Sequence, residues 1–179
     1  MRITGGILKG RTFYPSANQW PTRPTTDIAR EALFNILSNF LDFEHTAMLD
    51  LFGGSGAHSY EMISRGCTNV VYVDNFAPCL KFVKALIKEY QIETKIQVIL
   101  SDYEKYITST AASFDYIFAG PPYQLKNLAL IPNLLIETKI LTNNGFIVLE
   151  HNPAHSFNSH PHYWQSRNYG QTYFSFFKA

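Results

Sequence analysis

Three stretches of this chain carry residue types on which nucleoside chemistry depends. In Asp50-Leu51-Phe52-Gly53-Gly54-Ser55-Gly56-Ala57 a carboxylate precedes a loop with three glycines, which lets backbone approach a ligand closely and then turn into a helix. Asp74 and Asp102 each follow a later apolar run. At the ends of neighbouring strands, the first is placed to accept both hydroxyls of a ribose and the second a donor such as an adenine amine. The third stretch is Gly120-Pro121-Pro122-Tyr123. Its prolines hold the backbone extended, and Tyr123 offers an amphipathic ring at the mouth of a cleft.

Two nucleoside cofactors place a ribose at such a site, a nicotinamide dinucleotide and S-adenosylmethionine. Gly54-Ser55-Gly56-Ala57-His58-Ser59 lacks the third glycine of G-x-G-x-x-G, which favours the sulfonium cofactor. Cys67 and Cys79 are too few for a disulfide framework or a zinc site and read as small core residues. His151, His155, His160 and His162 lie in a Pro- and Ser-rich stretch without Cys or carboxylate partners, so no metal site is expected. Glu150 ends an apolar run, either as a cleft residue or as a buried partner for the N-terminal helix.

The elements that must position these groups follow from periodicity. Thr25-Thr26-Asp27 supplies N-cap residues, and Ile28, Ala32, Leu33, Ile36, Leu37 and Phe40 space out a helix expected to end near Leu41. Strands are expected at 47–52, 69–73, 95–100, 114–119 and 145–150, with helices at 57–64, 78–90, 103–109 and 132–139 between them. Continuous apolar strands joined by helical crossovers predict an α/β fold, a mostly parallel sheet with helices on both faces. The tail differs: 162–168 and 172–177 flank Tyr169-Gly170-Gln171 as a C-terminal β-hairpin. Residues 1–24, punctuated by Gly5, Gly6, Gly10, Pro15, Pro21 and Pro24, predict a small N-terminal extension with a hairpin.

Length and composition set the outer bounds. A chain of 179 residues, 46% apolar and 15% aromatic, is expected to form one domain with a core at 25–179. No apolar run is long enough to span a bilayer and the first ten residues lack a signal-peptide pattern, so a cytoplasmic protein without membrane contact is expected; a monomer is expected as well. The net charge of +1 is unevenly placed. Residues 1–30 hold Arg2, Lys9, Arg11, Arg23 and Arg30 against Asp27 alone, while the remainder carries more acidic than basic groups. A basic segment on a mildly acidic body suits either a polyanion or a solvated surface.

Taken together, the Leu49–Ala57 loop and Pro121-Pro122-Tyr123 resemble the class I S-adenosylmethionine methyltransferases that modify exocyclic amines of bases. The opening Met1–Gly6 and Leu8–Arg11, the stretch Arg23–Asp27 with Arg30–Leu37, and the closing Arg167–Thr172 are similar to the bacterial 16S ribosomal RNA guanine-N2 methyltransferases called RsmD. The resemblance implies a Rossmann-like fold, S-adenosylmethionine as cofactor, and 16S RNA or a partly assembled small ribosomal subunit as partner. It also implies that Asp50 and the loop Phe52, Gly53, Gly54, Ser55 and Gly56 hold the methionine part of the cofactor, Asp74 its ribose and Asp102 its adenine. Thr25, Thr26 and Arg30 would help with the carboxylate, and Arg2, Lys9, Arg11 and Arg23 would grip RNA.

One residue departs from that pattern. The family has Asp, or Asn in relatives, ahead of Pro-Pro-Tyr, and this chain has Gly120. An exocyclic amine attacks poorly until an acceptor draws on its proton, because its lone pair is delocalised into the ring. The expected catalytic stretch is therefore Gly120, Pro121, Pro122 and Tyr123, with a backbone carbonyl as acceptor and Tyr123 stacked on an extruded base. The alternative is a homologue that binds cofactor and RNA but has lost turnover through Gly120.

Overall fold

The computed structural model describes residues 1–15, 20 and 25–178. Helix α1 spans Asp27–Leu37 and starts where expected, with Thr26 accepting from the Ala29 amide at 3.2 Å. It stops four residues before the expected end. Ser38 Oγ and Asn39 Nδ2 donate back to the carbonyls of Phe34 and Asn35, competing with the helical ladder, and residues 38–40 become a turn.

The chain then alternates strand and helix: β1 (Ala47–Leu51), α2 (Ala57–Ser64), β2 (Asn69–Asp74), α3 (Ala77–Tyr90), β3 (Ile96–Leu100), α4 (Tyr103–Ser109), β4 (Phe114–Ala119), α5 (Ile131–Glu137) and β5 (Leu141–His151). Strand β5 begins four residues earlier than its apolar run suggests. Thr142 holds that early part to β4 by donating to Asp115 at 2.9 Å, and a register shift between Phe114 and Tyr116 accommodates it. β6 (Tyr163–Tyr169) and β7 (Thr172–Lys178) form the terminal hairpin, with Gly170 at φ +63° in its two-residue loop.

The seven strands make one sheet in the order β3-β2-β1-β4-β5-β7-β6. β1 to β5 run parallel, and β7 is antiparallel to both β5 and β6. Period-2 alternation sends Met48, Tyr72, Phe118 and Val148 to one face, against α1, α2 and α3, while Leu49, Val73, Ile117 and Leu149 meet α4 and α5 on the other. Successive strands step outward from β1 to β3, and the chain then returns to β4 on the other side of β1. That reversal is a switch point, where the loops leaving β1 and β4 diverge and leave a crevice.

The first residues belong to the core. The ends of segment 1–13 pair antiparallel through one bridge, Arg2 to Thr12, and bury Ile3, Leu8 and Phe13. The Thr4 amide donates to Glu61 at 2.7 Å and the Leu8 amide to Ser64 Oγ at 2.9 Å, both on α2. Gly6, at φ +73°, is fixed there because a Cβ would fall 1.7 Å from the Ser64 carbonyl oxygen. Among the described residues, no helix is long and apolar enough to cross a membrane.

Candidate active site

A cleft of about 320 Å³ opens at the switch point beyond the carboxyl ends of β1 and β4. One wall is the loop after β1, Phe52 to Ser55; the opposite wall is Gly120 to Gln124 after β4; Asp50 and Glu150 lie at its floor. Trp20 and Met1 come from the N-terminal segment to line it as well.

The β1 wall is built with backbone held in unusual conformations. Phe52 sits at φ +61° without being glycine, a conformation costing on the order of 1 kcal/mol, and its ring lies 4.7 Å from Tyr103. Gly53 must lack a side chain because a Cβ would meet the Tyr72 ring at 2.2 Å. Tyr72 in turn donates from its hydroxyl to the Gly54 carbonyl at 2.7 Å, and the Gly54 amide donates to Asp74 at 2.9 Å. Asp74 also accepts from the Phe76 amide at 2.8 Å, so both its oxygens are held by backbone. Asp50 is fully buried, and among the described residues its side-chain partner is the Ser59 hydroxyl at 2.6 Å. Burial, with the nearby Asp74 charge adding to it and Ser59 opposing it, pushes the Asp50 carboxyl up to about 7.

The chain has relatives among known proteins. Residues 1–178 match the family described as Conserved hypothetical protein 95. The chain belongs to that family. It is 35% identical over 154 residues to YlbH of Bacillus subtilis strain 168, covering 84% of this chain and 82% of the other. It is 31% identical over 150 residues to Ribosomal RNA small subunit methyltransferase D of Buchnera aphidicola subsp. Baizongia pistaciae, covering 84% and 75%. Among solved structures it shares the fold of the Thermus thermophilus 16S rRNA N2 G1207 methyltransferase RsmC in complex with AdoMet and guanosine. The TM-score there is 0.68 at 21% identity, over 86% of this chain and 43% of the other.

The β4 wall is built on Gly120 and the Pro121-Pro122-Tyr123 stretch that follows it. Gly120 donates its amide to the Leu51 carbonyl at 3.2 Å, tying the two walls together. Tyr123 turns its hydroxyl inward, donating to Glu150 Oε1 at 2.8 Å, and Thr25 donates to Glu150 Oε2 at 2.5 Å. Glu150 thus unites both sequence readings, since it lines the cleft and it also receives the residue that leads into α1. Burial raises its carboxyl above the ordinary range, and the bonds from Thr25 and Tyr123 work against that rise. His58, to which the sequence assigned no role, also lines the cleft: its ring stacks on Phe118 at 3.8 Å and its Nε2 bonds the Tyr116 hydroxyl at 2.9 Å. Burial, helped by the Arg30 and Arg65 charges, holds it well below its ordinary value and therefore neutral at pH 7.

The other predicted residues separate into distinct places. Thr26 is the α1 N-cap, with its hydroxyl spent on the Ala29 amide. Arg30 does not line the cleft. It is 1% exposed and reaches Asp27 at 2.8 Å, Glu61 at 3.3 Å and the Arg2 carbonyl at 2.6 Å, so it joins α1, α2 and the first residues. Gly56 caps α2 at φ +76°. Asp102 lies exposed at the end of β3, where one of its oxygens caps α4 by accepting from the amides of Glu104 and Lys105.

Arg2, Lys9 and Arg11 are exposed, and Arg23 lies outside the described residues. The Arg11 guanidinium sits 5.2 Å over the Tyr90 ring of α3, and Phe13 and Trp20 pack on Phe82 of the same helix. That helix presents Lys81, Lys84 and Lys88 to solvent, three cations at i, i+3 and i+7 on one face. Their periodic spacing within residues 78–90 was the signal that could have found them.

Proposed function

We infer that this protein transfers the methyl group of S-adenosylmethionine to the exocyclic N2 amine of a guanine in small-subunit ribosomal RNA. The observation that carries the reading is the cleft at the β1–β4 switch point in a chain of this family, with the Asp50–Ser55 loop facing Pro121-Pro122-Tyr123. The Buchnera relative is named for methylation of small-subunit RNA, and the structural neighbour for N2 chemistry with AdoMet.

The residues fit the cofactor by charge and by space. When bound, S-adenosylmethionine supplies an electrophilic methyl on a sulfonium. Asp50 is a buried carboxylate facing the cleft with a single side-chain hydroxyl as partner, suited to the ammonium of the methionine part. Asp74, at the end of β2, retains lone pairs beyond those taken by Gly54 and Phe76 and suits the ribose hydroxyls. Phe52 and Tyr103 offer apolar surface to the adenine, and Asp102 a carboxylate beyond them.

A base extruded from RNA would enter between the walls and stack on Tyr123. The duplex or loop carrying it would rest on exposed cations, Arg2, Lys9 and Arg11 of the N-terminal segment and Lys81, Lys84 and Lys88 of α3. Tyr14, 80% exposed and three residues after Arg11 in the chain, adds a stacking surface of the kind single-stranded bases use.

Calorimetry with S-adenosylhomocysteine and NAD tests the cofactor half. The first is expected to bind and the second not. Asp74→Ala is expected to weaken binding by about 1–3 kcal/mol, since ribose hydroxyls are left unpaired. NAD binding more tightly than S-adenosylhomocysteine would reject the reading. Gly120 favours a second reading, a homologue that keeps both affinities without turnover; transfer of labelled methyl to unmodified 16S RNA separates the two.

A further inference from the structure

We propose that Glu150 is the proton acceptor for the target amine, taking the role that a side chain at position 120 cannot fill. The inference rests on the methyltransferase reading above and names a catalytic residue within that site. Its basis is register. β4 and β5 run parallel with Phe118 opposite Val148 and Ala119 opposite Leu149, and extending that register one residue past the end of β4 sets Gly120 opposite Glu150. Phe118 and Val148 point to the α1–α2–α3 face. Period 2 therefore aims position 120 and Glu150 the same way, one step nearer the cleft, on strands roughly 4.8 Å apart. A carboxylate is thus present in the row where the motif calls for one, moved sideways by one strand.

Three further observations agree. Both Gly120 and Glu150 line the cleft. Among the described residues a Cβ built on Gly120 would meet only Phe118, at 3.2 and 3.7 Å, so glycine leaves open the space beside its neighbouring strand. Glu150 is also held in place: Tyr123 fixes Oε1 and Thr25 fixes Oε2, each leaving that oxygen a further lone pair. Tyr123 belongs to the loop expected to face the base, so the bond from its hydroxyl brings the carboxylate to the edge of the substrate position.

The step balances without any other reactant. The amine lone pair forms the new N–C bond, and the electron pair of the breaking C–S bond stays on sulfur, which becomes a thioether. One N–H proton passes to a Glu150 oxygen and from there to water. As that proton is drawn off, the nitrogen lone pair becomes available to the methyl carbon.

The test compares the parent, Glu150→Gln, Gly120→Asp and the double variant by methyl transfer to unmodified small-subunit RNA, S-adenosylhomocysteine calorimetry and RNA affinity. Glu150→Gln is expected to lower kcat by about 10²- to 10³-fold, with both affinities within about threefold of the parent. Adding Gly120→Asp is expected to recover about tenfold or more of that loss, because it restores a carboxylate in the same row. A purely structural Glu150, bracing Thr25 and Tyr123, would lower affinity and gain nothing from position 120. Transfer by Glu150→Gln within about threefold of the parent, parallel loss of cofactor affinity, or no recovery in the double variant each overturns the assignment. A parent that binds S-adenosylhomocysteine but methylates only as Gly120→Asp also overturns it, while the cofactor reading stands. A parent that does not bind S-adenosylhomocysteine overturns the methyltransferase reading itself. Binding with no transfer by any of the four rejects guanine in this RNA as the substrate, and the assignment with it.

Discussion

Asp50 combines complete burial, one hydroxyl partner and a carboxyl raised to about 7. A ligand ammonium pairs only with the ionised form, so cofactor binding there must expel a proton at lower pH. S-adenosylhomocysteine affinity is therefore expected to be flat above about pH 7.5 and to fall roughly tenfold per pH unit below 7, as linkage requires. Asp50→Asn should remove that dependence; an unchanged pH profile in the variant, measured by calorimetry at pH 6 and 8, would exclude Asp50 as the partner. Folding shows the opposite side of the same shift. A carboxyl raised in the folded state binds its proton more tightly there than in the unfolded chain, so the unliganded parent gains stability relative to Asp50→Asn as pH falls from about 7 toward 4. The gain is about 1.4 kcal/mol per unit at most. Asp50 and the glycines after it were legible because type and spacing alone mark such a loop. His58 and the bonds to Glu150 were not. The contacts that define them join residues 58 and 116, 123 and 150, and 25 and 150, pairings that only the sheet order brings together.

Helix α3 shows how an element can acquire a role from its neighbour. Its buried face, Leu80, Val83, Ile87 and Tyr90, was readable from 3.6-residue periodicity. What periodicity does not supply is that the N-terminal segment packs on the helix, setting Arg11 over Tyr90 while Lys81, Lys84 and Lys88 face solvent. Replacing those three lysines with glutamine is expected to weaken RNA binding and reduce the salt slope by about one unit for each phosphate left without its cation, with S-adenosylhomocysteine affinity unchanged. Filter binding at several salt concentrations decides it, and an unaltered slope would move the RNA footprint off α3. Element ends were read less well than element cores. α1 ends at Leu37 because Ser38 and Asn39 bond back to its carbonyls, and β5 starts at Leu141 because Thr142 and Asp115 extend its pairing with β4. In both cases a polar side chain decides the boundary after the apolar pattern has stopped or has not yet begun.

At the scale of the whole molecule, polar contacts tie the chain's beginning to α1 and α2, and a separate one ties the start of α1 to the cleft. Thr4 is held by Glu61, Arg30 joins Glu61 to Asp27 and the Arg2 carbonyl, and Thr25 reaches Glu150 between the N-terminal segment and the cleft. The alternating strands and helices were legible from the sequence. The burial of Ile3, Leu8 and Phe13 in the same core was not, since short apolar patches among glycines and prolines carry no period. A ligand seated in the cleft touches the loops after β1 and β4 together with Met1 and Trp20 of the N-terminal segment, so its binding energy should stabilise the fold as a unit. At a free concentration of about 100 times Kd, a ligand that binds only the folded state adds about 2.7 kcal/mol. For a chain of this length each kcal/mol raises Tm by about 2–4 °C, which gives a shift of roughly 5–11 °C for S-adenosylhomocysteine. NAD at the same concentration should leave Tm in place. The Phe13→Ala variant separates fold from site. It removes a buried ring that meets Tyr60 edge-on at 5.3 Å, and should lower the unliganded stability by about 3–5 kcal/mol. The ligand shift should persist at matched saturation, because the free energy of linkage depends on Kd and not on the starting stability. Loss of the shift along with the stability would mean that the N-terminal segment builds the cleft rather than merely supporting it.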